Sequence, residues 1–312
     1  MISFRYHVVS LVAVFFALAL GIALGAGPLQ DSVTSSVADT TDTSGTDAEQ
    51  AEELASAADR TAYDDAFVTA AAPQLLDSRL DGRTVSVVSL PGADPTDVRG
   101  LQEHVSDAGG SVVSSIAVTA TMLDPAKRGL AQSLAETTLR NAESTAPDDA
   151  TSYELLGAAF ARAFLTSDAR DSEQDAQAAA IEAALLESDF VTIDGQVDER
   201  ADVALVVEGQ PVPDAVDGSD DVAAELVAAF DRGTRGVVVA GPDTAAPGGA
   251  VAAVRASTAA DSVSTVDVVD ATAGQVAAVL ALVEQVGGDA GHYGSDDAPD
   301  GPLPVAVLTA DR

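Results

Sequence analysis

The sequence predicts an α/β protein: a single N-terminal transmembrane helix, a short helical stalk, then a doubly wound, flavodoxin-like, mainly parallel sheet. Three observations predict it. Residues Val8–Leu29 carry no charge, short apolar runs alternate with Ala-rich segments of helical period from residue 84 onward, and Pro or Gly signals separate them. The chain divides accordingly into an anchor over 1–30, a polar stalk with a short helix over 31–72, an α/β domain over 73–288 and an acidic tail over 289–312.

The opening, MISFRYHVVSLVAVFFALALGIALGAGPLQD, is expected to stay as an anchor. Its 22 uncharged residues, as a helix, rise about 33 Å, enough for a hydrocarbon core of about 30 Å. A cleaved leader usually has a shorter apolar region, and Pro28 obstructs cutting after Gly27. Arg5 precedes the span while Asp31, Asp39 and Asp42 follow it, which places the N-terminus in the cytoplasm and the body outside. Ala13, Ala17, Gly21 and Gly25 fall four apart on one helix face, and Gly21 with Gly25 forms a GxxxG pair suited to association of two spans. A homo-oligomer is expected.

Residues 31–46 are polar and small, a flexible linker by composition. Asp47 and Gln50 resemble a capping pair, opening a helix whose Ala51, Leu54, Ala55, Ala58 and Ala62 keep the 3–4 spacing of one side of a short coiled coil. Thr84–Leu90 reads as a buried strand, Asp94-Pro95 starts a helix that ends at Gly109-Gly110, and Ser111–Thr119 is the second strand. Helices are expected from Asp124-Pro125, over Tyr153–Leu165 and over Ser172–Leu186. Strands return at Val203–Val207, Gly236–Ala240 and Val263–Val266, with helices near Asp221–Phe230 and over Gln275–Val286. Asp270 is placed to cap the last of these, and Pro304–Leu308 to add an edge strand to an otherwise loose tail.

Composition narrows the chemistry. Fifty acidic residues face fifteen basic ones for a net charge of −35, and Lys127 is the only lysine. Such a surface repels phosphates, which excludes a nucleic-acid partner, and its even spread fits solvation in high salt better than cation capture. With no cysteine, thiolate metal sites and cysteine nucleophiles are excluded. His104 falls within a helix and His7 beside the span; no GxSxG occurs, so no catalytic residue is assigned and the protein is not expected to be an enzyme. The loop Gly241–Gly249 is glycine-rich and precedes a helix, yet lacks both nucleotide fingerprints, so no cofactor-binding residue is assigned either. Beyond Met1 the only thioether is Met122, and the candidate metal ligands are His292, Asp296 and Asp297 in the tail.

Three stretches taken together carry a resemblance: the opening MISFRYHVVSLVAVFFALALGIALG, RLDGRTVSVVSLPGAD with the following DAGGSVV, and VSTVDVVDATAGQVAAVLALVEQ leading to GHYG. In this order they are similar to the mycobacterial copper transport protein B (MctB) family, from Met1 to about Gly294, with Ser264, Thr265, Val266, Asp267, Gly274 and Gln275 as the most specific motif. The resemblance implies a part in copper homeostasis, with copper as transported ion and a channel-like action in the cell envelope, in an outer membrane for mycobacterial members. It supplies no ligand set. The residues themselves show one span and no ten-residue alternating strands of a membrane barrel, and the polar stalk departs from the family's longer apolar-periodic helix. The expected function is copper transport or efflux by a membrane-anchored, extracytoplasmic protein; the alternative is a non-catalytic envelope scaffold or solute-binding module.

Overall fold

The computed structural model describes residues 43–140, 146–211, 215–242, 248–295 and 298–309. The apolar run, Gly21 and Gly25 lie outside the described residues; among those described, no helix is long and apolar enough to cross a membrane.

Two compact units are present, divided between Asp64 and Asp65. The described residues of the first are the early turns of helix α1 (Thr43–Leu76), a single run of 34 residues. This helix begins ahead of the Asp47–Gln50 pair and is long rather than short. Its residues 50–64 are exposed, Leu54 and Tyr63 included.

The second unit is an α/β sandwich. Its elements run β1 (Thr84–Ser89), α2 (Pro95–Asp107), β2 (Ser111–Val118), α3 (Ala120–Leu123), α4 (Arg128–Thr138), α5 (Ser152–Phe164), α6 (Ala176–Glu187) and β3 (Val191–Ile193). They continue with β4 (Val203–Val207), α7 (Ser219–Gly233), β5 (Val237–Ala240), α8 (Gly249–Ala256), β6 (Ser264–Val266), α9 (Thr272–Gly287), β7 (His292–Tyr293) and α10 (Val305–Thr309). The 7-stranded sheet has the order β3-β2-β1-β4-β5-β6-β7, parallel except for the β2–β3 pair. With β3 set aside, the parallel strands follow one of the two common doubly wound orders, reversing direction between β1 and β4.

Strand period 2 divides the core into two layers. Val203, Leu205 and Val207 of β4 face one side with Val238 and Ala240 of β5, packed on α9, α2 and the last turns of α1. Ala204, Val206, Val237 and Val239 face the other, beneath α5, α7 and α8. Phe160 is fully buried there, stacked on Phe230 at 4.4 Å between ring centroids and tilted against Phe164 at 4.8 Å. With few aromatics available, these rings fill the space that Ala-rich helices leave.

Caps explain most boundaries. Asp94 accepts from the Thr96 amide ahead of Pro95, and Thr151 with Glu154 forms a reciprocal box on α5. Helix α6 begins at Ala176, not Ser172, because Asp175 caps it and Glu173 is held in an antiparallel bridge to Glu199. The N-cap of α9 falls on Ala271, one residue after Asp270.

The end of the chain differs from expectation. His292–Tyr293 pairs with β6 and takes the sheet edge that Pro304–Leu308 was expected to occupy. Residues Val305–Thr309 instead form α10, with Leu303 and Leu308 packed against the core.

Candidate functional site

Doubly wound sheets bind ligands beyond the carboxyl ends of their strands, at the point where strand order reverses. Here that crevice lies between β1 and β4, where the loops that follow the two strands touch. Gly209 after β4 lies against the backbone of Gly92 after β1, so closely that a Cβ on Gly209 would stand 1.8 Å from the Gly92 carbonyl carbon. Only glycine fits at this contact.

The next opening along the edge is filled from within. The N-terminus of α8 offers free amides, the place where an anion would bind. Glu208, the first residue after β4, accepts from the Ala250 amide at 2.7 Å and the Val251 amide at 2.9 Å. Asp220 on α7 accepts from the Gly249 amide at 3.0 Å. A Cβ on Gly249 would lie 2.0 Å from one Glu208 carboxylate oxygen, so this glycine is part of the cradle. Glu208 is 8% exposed. Burial pushes its carboxyl up to about 7; the Val251 and Ala250 amides pull it down and the Asp220 charge adds to the rise. The chain's own carboxylates therefore stand where the glycine-rich loop invited a phosphate.

The β6 motif forms a clasp around Arg255 of α8. Arg255 donates through Nε to Thr265 Oγ1 at 2.7 Å, through Nη1 to Asp267 Oδ2 at 2.7 Å and through Nη2 to the Tyr293 carbonyl at 3.0 Å. Asp267 Oδ1 accepts from the Ser295 amide at 2.7 Å. Ser264 is buried and accepts from the Gly291 amide and from Gln285 Nε2. Val266 is buried in the core, paired with Ala240 and Tyr293. Thus Ser264, Thr265 and Asp267 tie β6, β7 and α8 together. Gly274 is required by contact, since a Cβ there would stand 1.8 Å from the Val268 carbonyl oxygen, and Gln275 Nε2 donates to the Val269 carbonyl at 3.1 Å. These two residues seat α9 on the turn after β6.

His292 is drawn into the same clasp. Its Nδ1 lies 2.9 Å from Thr265 Oγ1, its backbone amide donates to Asp300, and burial followed by the nearby Arg255 charge holds its imidazole below the usual value. Asp296 and Asp297 lie outside the described residues. Among the described residues, no group of three or more His, Cys, Asp or Glu is arranged to hold a metal. Met122 is fully buried, so its thioether faces the core. His104 sits on α2 with Nδ1 3.7 Å from Asp107.

Glu208, Arg255 and the Gly92–Gly209 contact were not identified from the sequence. Two left a trace in it: Glu208 is the first charge after an all-apolar strand, and Arg255 is the sole charge in the segment GAVAAVRA. The glycine contact left none, because it joins residues of two separate loops.

A family profile described as "Copper transport outer membrane protein, MctB" matches residues 1–304. The "Copper transporter MctB" proteins of Mycobacterium tuberculosis and Mycobacterium bovis are 30% identical over 308 residues, covering 95% of this chain and 96% of theirs. The protein of the same name from Mycobacterium leprae is 32% identical over 270 residues, covering 81% and 83%.

Proposed function

Because this chain belongs to the MctB family, we propose that it acts in copper transport across the cell envelope and so in copper homeostasis. The observation that carries this is the match along the whole length, from residue 1 to 304, including both the apolar opening and the β6 clasp. Copper is cargo here, not a resident cofactor. The chain has no cysteine and buries Met122, so the described body offers no soft ligand to retain copper(I). Weak, exchangeable contact suits passage better than storage.

The uncharged run Val8–Leu29 serves as the anchor, with the N-terminus cytoplasmic and the acidic α/β body extracytoplasmic. The protein is not an enzyme in this reading and self-associates in the membrane, Gly21 and Gly25 forming the close face between spans. Its acidity is a solvation device for a salty medium.

One observation favours a second reading, an envelope scaffold without transport. The loops at the strand reversal touch at Gly92 and Gly209, and the neighbouring helix end is capped by Glu208 and Asp220. A domain tied together in this way is suited to holding position.

Cellular copper in a deletion strain separates the two. The strain is complemented with the full-length protein, and in parallel with a form whose residues 1–30 are replaced by a cleavable signal. Copper accumulation on deletion, rescued only by the anchored form, is the expected result. Unchanged copper in every strain overturns transport and leaves the scaffold.

A further inference from the structure

The last turns of α1 are weak in themselves and are held from outside. Pro73 sits inside the helix and has no amide to donate to the Thr69 carbonyl, which loosens the turns around it. The helix then ends through Ser78, a non-glycine residue at φ 58°, in the left-handed conformation that side chains disfavour. Beyond this turn Arg79 reaches back, and its Nε donates to the Leu75 carbonyl at 2.7 Å. Its Nη1 donates to the Val307 carbonyl of α10 at 2.5 Å. One guanidinium thus serves the carbonyl ends of two helices, where a cation is favoured. Helix α10 has only 5 residues, too few to persist alone. Leu303 and Leu308 join the apolar cluster that holds Leu75 and Leu76 of α1 with Val283 and Val286 of α9, and Pro304 is buried.

We propose that Leu303–Thr309 is a strap on the foot of α1. In place, it keeps residues 65–76 seated on the sheet. Lifted, it lets those turns unseat while the sheet stays folded, because the strands draw their hydrogen bonds from one another and not from α10. The chain that forms the strap comes from β7, which the Arg255 clasp holds through the Tyr293 carbonyl. The end of the chain is therefore fastened twice, to the sheet edge and to the foot of α1. Whatever captures or removes the strap acts on α1 directly and on the strands only at second hand.

The test is amide hydrogen exchange on the full chain in lipid nanodiscs, read over residues 65–76, with 84–89 and 203–207 as the reference within the sheet. Ending the chain after Pro302 is expected to speed exchange over 65–76 about tenfold and to leave the reference unchanged. Arg79→Met keeps the apolar packing and removes the tie; it is expected to speed exchange over 65–76 about fivefold and that of 305–309 with it. This variant carries the test should the shortened chain not fold. Made together, the two changes are expected to give less than the product of their separate effects, since both break the bond between Arg79 and Val307. Unmoved exchange over 65–76 in either variant, an equal rise in the sheet, or a combined effect equal to the product overturns the strap.

Discussion

Arg255 and Asp267 face each other at 2.7 Å across the gap between α8 and the end of β6, with side chains 22% and 14% exposed. The pair is shielded enough for its geometry to count, and Arg255 places two further donors on Thr265 and on the Tyr293 carbonyl. One side chain thus fastens a helix, a strand end and a following segment.

Arg255→Met leaves Asp267 without its cation and is expected to lower unfolding free energy by about 2–4 kcal/mol in urea denaturation. Arg255→Lys keeps the charge but loses the fork, and recovers less than half of that. Equal stability of all three forms would remove the clasp from the account of how β7 is held.

Gly209→Ala drives a methyl group into the Gly92 backbone, so either the β1 or the β4 loop must shift. The expected outcome is a loss of about 3 kcal/mol or more, or failure to fold. Gly129 on α4 is the control: a Cβ there meets nothing within 4 Å. Gly129→Ala is expected to raise stability by about 0.5–1 kcal/mol. Thermal unfolding of the two variants side by side measures the asymmetry.

Asp175 caps α6, and its carboxyl is held below its ordinary 3.8 by the Ala178 amide first and by Arg162 next. A lowered value means that the folded state binds the proton less well than the unfolded one. The stability it contributes is present above 3.8 and is lost as pH falls through the lower, folded value. Asp175→Asn is therefore expected to flatten the acid limb of the stability profile and to leave the limb above neutrality unchanged. Denaturation midpoints taken along a pH series check both halves.

The alternating architecture was legible because short apolar runs such as VALVV, bounded by turn residues, suit a strand buried on both faces. Asp94-Pro95 and the paired glycines 109 and 110 fixed the ends of α2 by local chemistry alone. The short strands β3 and β7 were not legible, since 3 and 2 residues carry too little periodicity and their pairing depends on partners distant in sequence. The same reason hid Arg255: nothing within GAVAAVRA says that Asp267 lies opposite. The motif Ser264–Asp267 was found, and the contacts give it a positioning use.

The sheet finishes at both sides in strands of 3 and 2 residues, the first of them antiparallel. Each offers a neighbouring chain too few open backbone groups to build another strand upon. Edges this short are protection against runaway sheet growth between copies of the chain. What such edges leave for contact between molecules is side chains and helix faces rather than open backbone.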